Sequence, residues 1–342
     1  MSMKWYDGIK NTDDVVISSR VRLARNLENF PFPSKLDREG SEKVALPVKE
    51  ALEINYGEKL YFTEMDKNKQ KNVLVEEHLI SPDFCSDNGL YKALVTDENS
   101  NLCVMINEED HVRIQGIFAG FDLDNAYELA DRADRAIMKS VSFAFDDKYG
   151  FLTSCPTNLG TGLRASVMLH LPAISATGYI KPLVNLMTKL GLCVRGLYGE
   201  GSDAKGCMYQ LSNQVTLGMS EEDTLKKLKS AVEQIVEKER DTRKKLLENS
   251  SGELLDSLWR SYGTLRYAYK MDTKEATKLI SNVRLAGSCG IIPECKNVNL
   301  IKLMFEIMPA HIAERFPDAI DTSKRDKYRA DIIRQELCPD NE

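Results

Sequence analysis

The alternation of apolar and polar positions divides the chain into a first part with strands and helices and a last part with helices only. Short apolar runs, several of them alternating with polar residues, predict strands at residues 12–26, 71–80, 102–115, 192–195 and 208–215. Apolar residues that recur with the helical period predict helices at residues 39–56, 124–145 and 180–190, and a long helix that Ser220 and Asp223 begin.

Residues 249–252, Asn-Ser-Ser-Gly, are typical of a linker. After them, helix-start signals occur at Asp272-x-x-Glu275 and Ser323-x-x-Asp326, and a further helix is predicted at 297–308. We therefore predict a mixed α/β domain over residues 1–248 and an all-helical domain over residues 249–342.

The composition is typical of a globular protein with about two domains: 342 residues, 42% hydrophobic and 29% charged. A net charge of −6 argues against nonspecific binding to nucleic acid. The first residues lack the apolar core of a signal peptide, and no run of 18 apolar residues predicts a membrane span. The eight cysteines form no C-x-x-C pair, so we expect reduced thiols in the cytoplasm and neither a disulfide framework nor a zinc site.

Residues 152–166 carry the most specific local signals. A proline follows Cys155 and fixes φ, and Gly160 and Gly162 permit positive φ and close backbone approach. Turns of this kind hold reactive or phosphate-binding groups on a stiff scaffold, although a plain structural turn stays open. The glycine spacing is no dinucleotide fingerprint, because residues 177–195 lack the acidic residue that it requires.

The predicted strand at 12–26 places two arginines on one face. Arg20 and Arg22 alternate with the apolar Val21 and Leu23. Adjacent arginines repel each other unless an anion lies between them, so an anion site is one interpretation and a solvated strand face is the other.

Residues 102–115 are the second informative strand prediction. Read as one strand, they place Asn107, Glu109, His111 and Arg113 on one face and Glu108, Asp110 and Val112 on the opposite one. Three consecutive carboxylates require raised pKa values or cations nearby. Metal ligation is an alternative, but the spacing differs from the helical i, i+4 spacing of H-E-x-x-H. A single histidine such as His78 is more often structural than functional.

Four motifs, in this order, resemble the catalytic domain of phosphagen (guanidino) kinases. They are Ser18-Ser-Arg-Val-Arg22, Asn107-Glu-Glu-Asp-His-x-Arg113, Cys155-Pro-Thr-Asn-Leu-Gly-Thr161 and Arg195-Gly-x-x-Gly-Glu200. No Walker loop or protein-kinase signature is matched. The resemblance implies an α/β fold of the α+β type, with an antiparallel β-sheet flanked by helices, followed here by a C-terminal all-helical domain.

The chain differs from phosphagen kinases in two respects, and these differences indicate a particular family within the class. Phosphagen kinases carry a helical domain before the first motif, whereas 17 residues precede Ser18 here. The helical part lies at the other end and contains Arg325-Asp-Lys-Tyr-Arg329-Ala330. Both features resemble the bacterial protein arginine kinases of the McsB type over nearly the whole chain.

This resemblance implies ATP-dependent phosphorylation of arginine side chains in proteins, with Mg²⁺ as the companion of ATP and no metal held by the protein alone. It also implies delivery of the marked proteins to a Clp protease. The implied partners are protein substrates, an activator protein, a Clp ATPase, a heat-shock repressor and a second copy of the chain. Neither a membrane nor direct binding to nucleic acid is implied.

The resemblance also assigns residues. Glu109 matches the base, Glu200 a second contact to the guanidinium group, and Cys155 a thiol against that group, where surrounding cations would favour the thiolate. Glu108 joins this catalytic set, and His78 lies near the adenine. The full nucleotide-binding set is Ser18, Ser19, Arg20, Val21, Arg22, His78, Arg113, Arg164, Ala165, Ser166, Val167, Met168, Arg195, Gly196, Leu197, Tyr198, Gly199 and Glu200.

In the predicted last helix, Arg325 and Arg329 lie one turn apart, with Asp326 at the edge of the same face. The resemblance implies that these three residues and Ala330 bind phosphoarginine, because two cations suit the phosphate and a carboxylate suits the guanidinium group. Spacing alone favours an ordinary ion pair on the helix surface.

Two other functions stay open from the sequence. One is a kinase of free arginine or another small guanidino compound, although nothing obvious in the sequence would enclose so small a substrate. The other is an inactive adaptor that reads phosphoarginine, although every transferable catalytic position is occupied.

Overall fold

The computed structural model describes residues 4–8, 14–196, 204–249 and 252–337. Its strands, in chain order, are β1 (Val16–Arg25), β2 (Tyr61–Glu64), β3 (Ala93–Thr96), β4 (Leu102–Ile106), β5 (Val112–Ala119), β6 (Phe145–Asp146), β7 (Gly150–Phe151), β8 (Leu163–His170), β9 (Leu192–Gly196) and β10 (Met208–Asn213). Eight of them form one sheet in the order β2-β3-β4-β5-β1-β8-β10-β9, and β6 pairs with β7. Neighbouring strands from β2 through β1 in this order pair in antiparallel fashion.

The helices are α1 (Arg38–Asn55), α2 (Lys71–Glu76), α3 (Leu123–Met138), α4 (Pro172–Ala176), α5 (Ile180–Lys189), α6 (Glu221–Glu248), α7 (Glu253–Tyr267), α8 (Thr273–Ser288), α9 (Leu300–Glu306), α10 (Pro309–Arg315) and α11 (Thr322–Leu337). Beyond residue 252 the described chain contains helices and turns only, so the predicted fold class, an antiparallel sheet with flanking helices and a C-terminal helical region, is confirmed. Within the described residues, no helix is long and apolar enough to cross a membrane.

The chain packs as two compact units. The first comprises Met1–Gly8, Ser18–Val167 and Ser212–Lys229, and the second comprises Ile9–Ile17, Met168–Leu211 and Ser230–Glu342. These units are defined by internal packing, whereas a division near residue 248 concerns functional domains and stays a prediction.

The core of the first unit lies where α3 covers β5. Gly116 makes this close approach possible, because a Cβ atom there would lie 2.2 Å from the carbonyl oxygen of Ala126 in α3. In the sheet, Leu23 pairs with Ile114, and both side chains are buried. Truncating a buried aliphatic side chain of this kind to Ala costs about 2–5 kcal/mol of folding stability.

The second unit contains a buried polar network. Glu239 is fully buried and accepts hydrogen bonds from the backbone nitrogens of Ala173 and Ile174 at 3.0 and 2.9 Å, while Arg243 donates to it at 2.8 Å. His170 accepts from Arg284 at 3.0 Å. A buried carboxylate is tolerated here because each of its oxygen atoms has a donor.

Two of the three predicted helix starts have the predicted N-terminal cap residue, Ser220 and Asp272. Ser220 Oγ accepts from the backbone nitrogen of Asp223 at 3.0 Å, and Asp272 accepts from that of Glu275 at 2.8 Å. The last helix begins at Thr322, and its cap is Asp321 instead of Ser323, because Asp321 Oδ1 accepts from the backbone nitrogen of Lys324 at 2.7 Å. An aspartate three residues before the donating backbone nitrogen serves this role as well as a serine.

Four other predictions were wrong in extent or type. The run at 71–80 begins as a helix, α2, that buries Val73. The predicted strand at 102–115 is a hairpin, since residues 107–111 form a turn between β4 and β5. The helix predicted to reach residue 145 ends at Met138, and the one predicted at 297–308 is shorter, Leu300–Glu306.

Candidate active site

Arginine side chains gather on three neighbouring strands. Arg22 in β1 pairs with Gln115 in β5, and Arg113 lies two residues farther along β5, so the two arginines are diagonal neighbours on one sheet face. Arg164 lies in β8, which follows β1 in the sheet. We call Arg20, Arg22, Arg113 and Arg164 the arginine cluster.

The guanidinium groups of the arginine cluster repel one another. Burial first, and then the charges of Arg113 and Arg164, lower the pKa of Arg20 to about 10. Burial and the three other guanidinium groups also place the pKa of Arg22 well below its ordinary value. Moreover, the buried Nε atom of Arg22 has no hydrogen-bond partner among the described residues. An anion with several oxygens would relieve both the repulsion and the missing bond.

The turn at residues 107–111, here called the acidic turn, holds two glutamates in different settings. Asn107 has a φ of +62°, which asparagine tolerates, and its backbone nitrogen donates to the His111 carbonyl at 2.8 Å. The carboxylate of Glu108 accepts from Ser81 Oγ at 2.5 Å and lies 2.6 Å from Arg113. Glu109 lies 3.5 Å from Arg113, and its side chain is 44% exposed against 5% for Glu108.

The prediction that Glu108 and Glu109 point to opposite strand faces was therefore wrong. Both are in a turn, and both reach Arg113. Glu108 is held in place, whereas Glu109 lines a cleft. Burial raises the pKa of Glu109, the charge of Arg113 opposes this, and Asp110 and Glu108 add to the increase. A carboxylate with a raised pKa at a cleft is suited to accept a proton.

Cys155 lies in a loop over residues 151–162, here called the thiol loop. Its thiol lies 3.0 Å from the hydroxyl of Thr157. Gly160 and Gly162 have φ values of +109° and +65°, and a Cβ atom at Gly162 would lie 2.6 Å from the Ala24 carbonyl oxygen. The predicted close approach is confirmed, and it brings the end of the thiol loop against β1.

The arginine cluster, the acidic turn and the thiol loop meet at one cleft. Its lining residues are Arg22, Ala24, Glu109, Arg113, Cys155, Thr157, Asn158, Gly162 and Arg164. The structure therefore brings together five of the residues predicted from the sequence: Arg22, Glu109, Arg113, Cys155 and Arg164.

Two buried residues that we did not predict connect these parts. Asp110 is fully buried, and its Oδ1 atom accepts from Asn26 and from the backbone nitrogen of Ser154, each at 2.7 Å. Asn26 also donates to the Leu152 carbonyl at 3.0 Å. Asp110 stands inside a recognised motif and Asn26 lies outside all four, and only the tertiary contact shows that they join the acidic turn to the thiol loop.

A third unpredicted residue, Arg25, closes the thiol loop. Its guanidinium group lies 3.6 Å from the centre of the Phe151 ring and donates to the Thr161 carbonyl at 2.9 Å. Asp134 in α3 pairs with it at 2.8 Å. Arg25 therefore contacts both ends of the thiol loop.

His78 lies in a turn after α2 with a φ of +60°. Burial, followed by the charge of Arg20, lowers its pKa to about 3. The imidazole is therefore neutral over the physiological range and lies in the electric field of the arginine cluster.

The other predicted nucleotide-binding residues lie mostly within strands. Ser18, Ser19 and Val21 in β1 are buried, as are Ala165, Ser166, Val167 and Met168 in β8. Ser19 bonds to the Gly120 carbonyl, and Ser166 is 3.4 Å from Arg20 Nε. Arg195 and Gly196 end β9, where Arg195 is exposed. The predicted residues Leu197, Tyr198, Gly199 and Glu200 lie outside the described residues.

In the second unit, the predicted phosphoarginine residues lie in α11. Arg329 is 1% exposed and donates to the carbonyls of Ile307 and Met271 at 3.0 and 2.9 Å and to Asp326 at 2.6 Å. Arg325 is half-buried and donates to the Ile320 carbonyl at 2.9 Å. Ala330 is buried. The two arginines therefore differ in setting, because Arg329 is bonded to backbone inside the unit.

The cleft suits an anion with several oxygen atoms. Three members of the arginine cluster, Arg22, Arg113 and Arg164, line it, and the buried Nε atom of Arg22 has no hydrogen-bond partner among the described residues. Among the described residues, no group of three or more His, Cys, Asp or Glu residues could hold a metal ion. Magnesium brought by a nucleotide takes most of its ligands from phosphate and water.

Comparisons with known proteins define the class. Residues 42–242 match the family described as "ATP:guanido phosphotransferase, C-terminal catalytic domain". Among solved structures, the substrate-free duplicated taurocyamine kinase from Schistosoma mansoni is 26% identical with a TM-score of 0.61, covering 79% of this chain and 41% of that chain. Lombricine kinase, 24% identical over 72% of each chain, shares the fold with a TM-score of 0.60. The fold is therefore that of an ATP:guanido phosphotransferase.

The particular family follows from the C-terminal region and the relatives. Residues 251–342 match the "Protein-arginine kinase McsB C-terminal domain". A protein-arginine kinase of Syntrophomonas wolfei is 43% identical over 98% of this chain and 95% of its own length, and one of Clostridium kluyveri is 44% identical over 95% of each. This chain belongs to the protein-arginine kinase family.

Proposed function

We propose that this chain transfers the γ-phosphoryl group of ATP to arginine side chains of protein substrates. The observation that carries the proposal is the meeting of Glu109, the arginine cluster and Cys155 at one cleft. Phosphoryl transfer requires positioned cations for the spread negative charge, and a guanidinium acceptor requires a carboxylate. This cleft offers both.

The arginine cluster binds the phosphates. Its repulsion and the missing bond at Arg22 Nε favour occupation by an anion. Magnesium, when it accompanies ATP, neutralises part of the charge on the phosphate oxygens. His78, neutral and in the electric field of Arg20, contacts the adenine. The buried residues 165–168 of β8 complete the proposed nucleotide-binding set.

Glu109 receives the proton of the acceptor. A free arginine side chain has a pKa above about 12 and is a poor nucleophile until it loses a proton. One guanidinium nitrogen attacks the γ-phosphorus, the bond between that phosphorus and the bridging oxygen of ADP breaks, and the proton moves to Glu109. Cys155 lies against the acceptor group, and Glu108 positions Arg113. The roles of Arg195 and Glu200 stay predictions of the family resemblance.

We further propose a functional boundary near residue 248, with a phosphoarginine pocket in the helical region beyond it. Arg325 supplies the cation for the phosphate, and Asp326 accepts from the guanidinium group. Arg329 orients Asp326, because it is buried and bonded to that carboxylate at 2.6 Å. Ala330, the next residue after Arg329, is buried.

Family membership also supports the wider proposals. They are a homodimer, an activator protein, a heat-shock repressor among the substrates, and delivery of marked proteins to a Clp ATPase and protease. The described cysteines, Cys85, Cys103, Cys155, Cys193, Cys207, Cys289 and Cys295, are free thiols, which fits the reducing cytoplasm.

The test incubates the protein with Mg-ATP and either casein or free arginine. Mass spectrometry under neutral conditions then searches for phosphoarginine, whose bond is acid-labile. Phosphoarginine in casein supports the proposal. Phosphorylation of free arginine alone would indicate a small-molecule kinase, and binding of phosphoarginine peptides without any transfer would indicate an inactive reader.

A further inference from the structure

A short segment of the first unit, residues 4–8, is attached to the turn that carries His78. Trp5 Nε1 donates to the Glu77 carbonyl at 2.9 Å, and the Tyr6 hydroxyl donates to the Glu77 carboxylate at 3.1 Å. Lys4 forms an ion pair with the same carboxylate. Trp5, Tyr6 and Glu77 are 3%, 3% and 2% exposed, so these contacts are made in the interior.

Three side chains donate hydrogen bonds to consecutive backbone carbonyl groups here, and Trp5 is one of them. Residues 77–79 are here called the histidine turn. Trp5 donates to the carbonyl of Glu77, Gln115 in β5 to that of His78 at 3.0 Å, and Cys103 in β4 to that of Leu79 at 3.0 Å. Each residue of the turn is thus fixed by a donor side chain from a different part of the unit.

This fixation maintains an unfavourable backbone conformation. His78 has a φ of +60°, in the left-handed region that is unfavourable for a residue with a side chain. Such conformations persist where the surroundings over-determine them, and they concentrate at functional sites. A preorganised contact residue loses less conformational freedom when its ligand binds. The donors to the histidine turn therefore act on ligand affinity as well as on folding.

We propose that Trp5 and Tyr6, through Glu77, are positioning residues for the nucleotide, holding His78 in its binding-competent backbone conformation. The inference rests on the proposed function in one respect, that His78 contacts the nucleotide. It adds a segment that carries no catalytic motif and lies far in sequence from His78.

The test compares conservative variants that remove one donor each. Trp5→Phe removes the indole N–H and Tyr6→Phe the hydroxyl, while both keep an aromatic ring in the core. The bond from Trp5 is neutral, whereas the bond from Tyr6 to the carboxylate is charge-assisted and therefore stronger. We expect the Kd for ADP and the KM for ATP to rise about 3- to 10-fold in Trp5→Phe and at least as much in Tyr6→Phe. We expect kcat and the KM for the acceptor protein to change by less than about 2-fold, because the acceptor side of the cleft is untouched.

Glu77 provides a rescue experiment. Glu77→Ala removes the acceptor for Tyr6, whereas Glu77→Gln retains an oxygen for it, so Glu77→Gln should restore most of the ADP affinity that Glu77→Ala loses. Tyr61→Phe is the matched control, since Tyr61 is 41% exposed on β2. Thermal unfolding of each variant shows whether it is folded at the assay temperature.

The outcomes separate this inference from the proposed function. If wild-type protein binds ADP and the Trp5 and Tyr6 variants bind it more weakly, the inference stands even where no arginine is phosphorylated. If folded Trp5→Phe and Tyr6→Phe proteins bind ADP as the wild type does, the inference is overturned, whatever the kinase activity. The inference would also be overturned if kcat fell and the KM values for ATP and for the acceptor protein both rose to a similar extent, with Glu77→Gln as impaired as Glu77→Ala.

Discussion

Asp110 and Ser154 join the two reactive parts of the cleft, because the Asp110 Oδ1 atom lies 2.7 Å from the backbone nitrogen of Ser154. Asp110 belongs to the acidic turn that presents Glu109, and Ser154 precedes Cys155 in the thiol loop. The same oxygen accepts from Asn26 at the end of β1. The buried carboxylate of Asp110 thus positions three parts relative to one another: the proposed base, the thiol, and β1, which carries Arg20 and Arg22.

The first prediction concerns the proposed base. Glu109→Gln keeps the size of the side chain but cannot accept the guanidinium proton, so we expect phosphoarginine formation to fall by about 10²- to 10⁴-fold. The Kd for ADP should stay near the wild-type value. Activity within about tenfold of wild type would show that Glu109 is not the base.

Glu108→Gln is the matched comparison in the same turn. Glu108 holds Arg113 at 2.6 Å, and its loss frees a member of the arginine cluster. We therefore expect this variant to raise the KM for ATP more than Glu109→Gln does, as measured by initial rates at several ATP concentrations. Equal KM values for the two variants would contradict separate roles.

The second prediction is a pH dependence. Glu109 must be ionised to accept a proton, and burial raises its pKa, with Asp110 and Glu108 adding to the increase. Activity should therefore fall, as the pH is lowered, at a higher pH than for an ordinary glutamate. Asp110→Asn removes one negative charge, so the pKa of Glu109 should fall. The decrease in activity on the acidic side of the pH profile should therefore move to lower pH.

Asp110→Asn should fold, because Asp110 Oδ1 makes both described bonds and Oδ2 has no partner among the described residues. An asparagine oxygen can accept the same two bonds. Asp110→Ala, which loses them, is the contrasting variant and should lower kcat as well. A pH profile of Asp110→Asn that coincides with the wild type would refute the electrostatic link to Glu109.

Local signals in the sequence predicted a good part of this fold and site. The alternation in β1, the cap at Ser220 and the two glycines of the thiol loop depend on neighbours in sequence, and each was confirmed. Arg20, Arg22 and Arg113 could be placed because strand periodicity and motif both indicated them, whereas Arg164 was assigned by the family resemblance alone.

The failures concern features that local pattern does not determine. The alternation of residues 102–115 continues through the acidic turn, so periodicity alone could not show that the chain reverses at Asn107. The roles of Asp110, Asn26 and Arg25 depend on partners 44, 126 and 136 residues away. A buried side chain shared by three segments has no signature within any one of them.

The third prediction concerns thiol reactivity. Cys155 is half-buried and lines the cleft with Arg22 and Arg164, whereas burial raises the pKa of Cys207 and of Cys103. Because the thiolate is the reactive form, iodoacetamide should label Cys155 first and inactivate the enzyme in proportion. ADP with an acceptor peptide should protect, and peptide mapping would detect the site. Faster labelling of Cys193 or Cys207 would contradict the assignment.

The fourth prediction tests the close approach of the thiol loop to β1. In Gly162→Ala, a Cβ atom would meet the Ala24 carbonyl oxygen at 2.6 Å at a positive φ. Gly57→Ala is the control, since Gly57 also has a positive φ but no atom within 4 Å of the added Cβ. The positive φ alone costs about 1–2 kcal/mol. We expect Gly162→Ala to lose more stability than Gly57→Ala and to lose activity, as measured by denaturant unfolding and initial rates. Equal losses would refute the steric argument.

The last prediction concerns the proposed phosphoarginine pocket. Arg329→Ala is an ambiguous test, because this buried guanidinium group bonds to the carbonyls of Ile307 and Met271, and those acceptors would lose their donor. Arg325→Ala and Asp326→Asn are cleaner, since both side chains are half-buried. Charge-assisted hydrogen bonds contribute about 1.5–3 kcal/mol, so each variant should weaken binding of a phosphoarginine peptide by at least about tenfold.

The control is Lys327→Ala, which removes an exposed cation from the same helix. If the pocket is a specific site, Lys327→Ala should leave peptide affinity within about twofold of wild type, since an exposed charge contributes little. Phosphorylation of substrates that need no docking should persist in all three variants, because the reacting groups lie in the first unit. Calorimetric titration with phosphoarginine and unmodified peptides measures the difference. Wild-type affinity in both Arg325→Ala and Asp326→Asn would place the phosphoarginine site elsewhere.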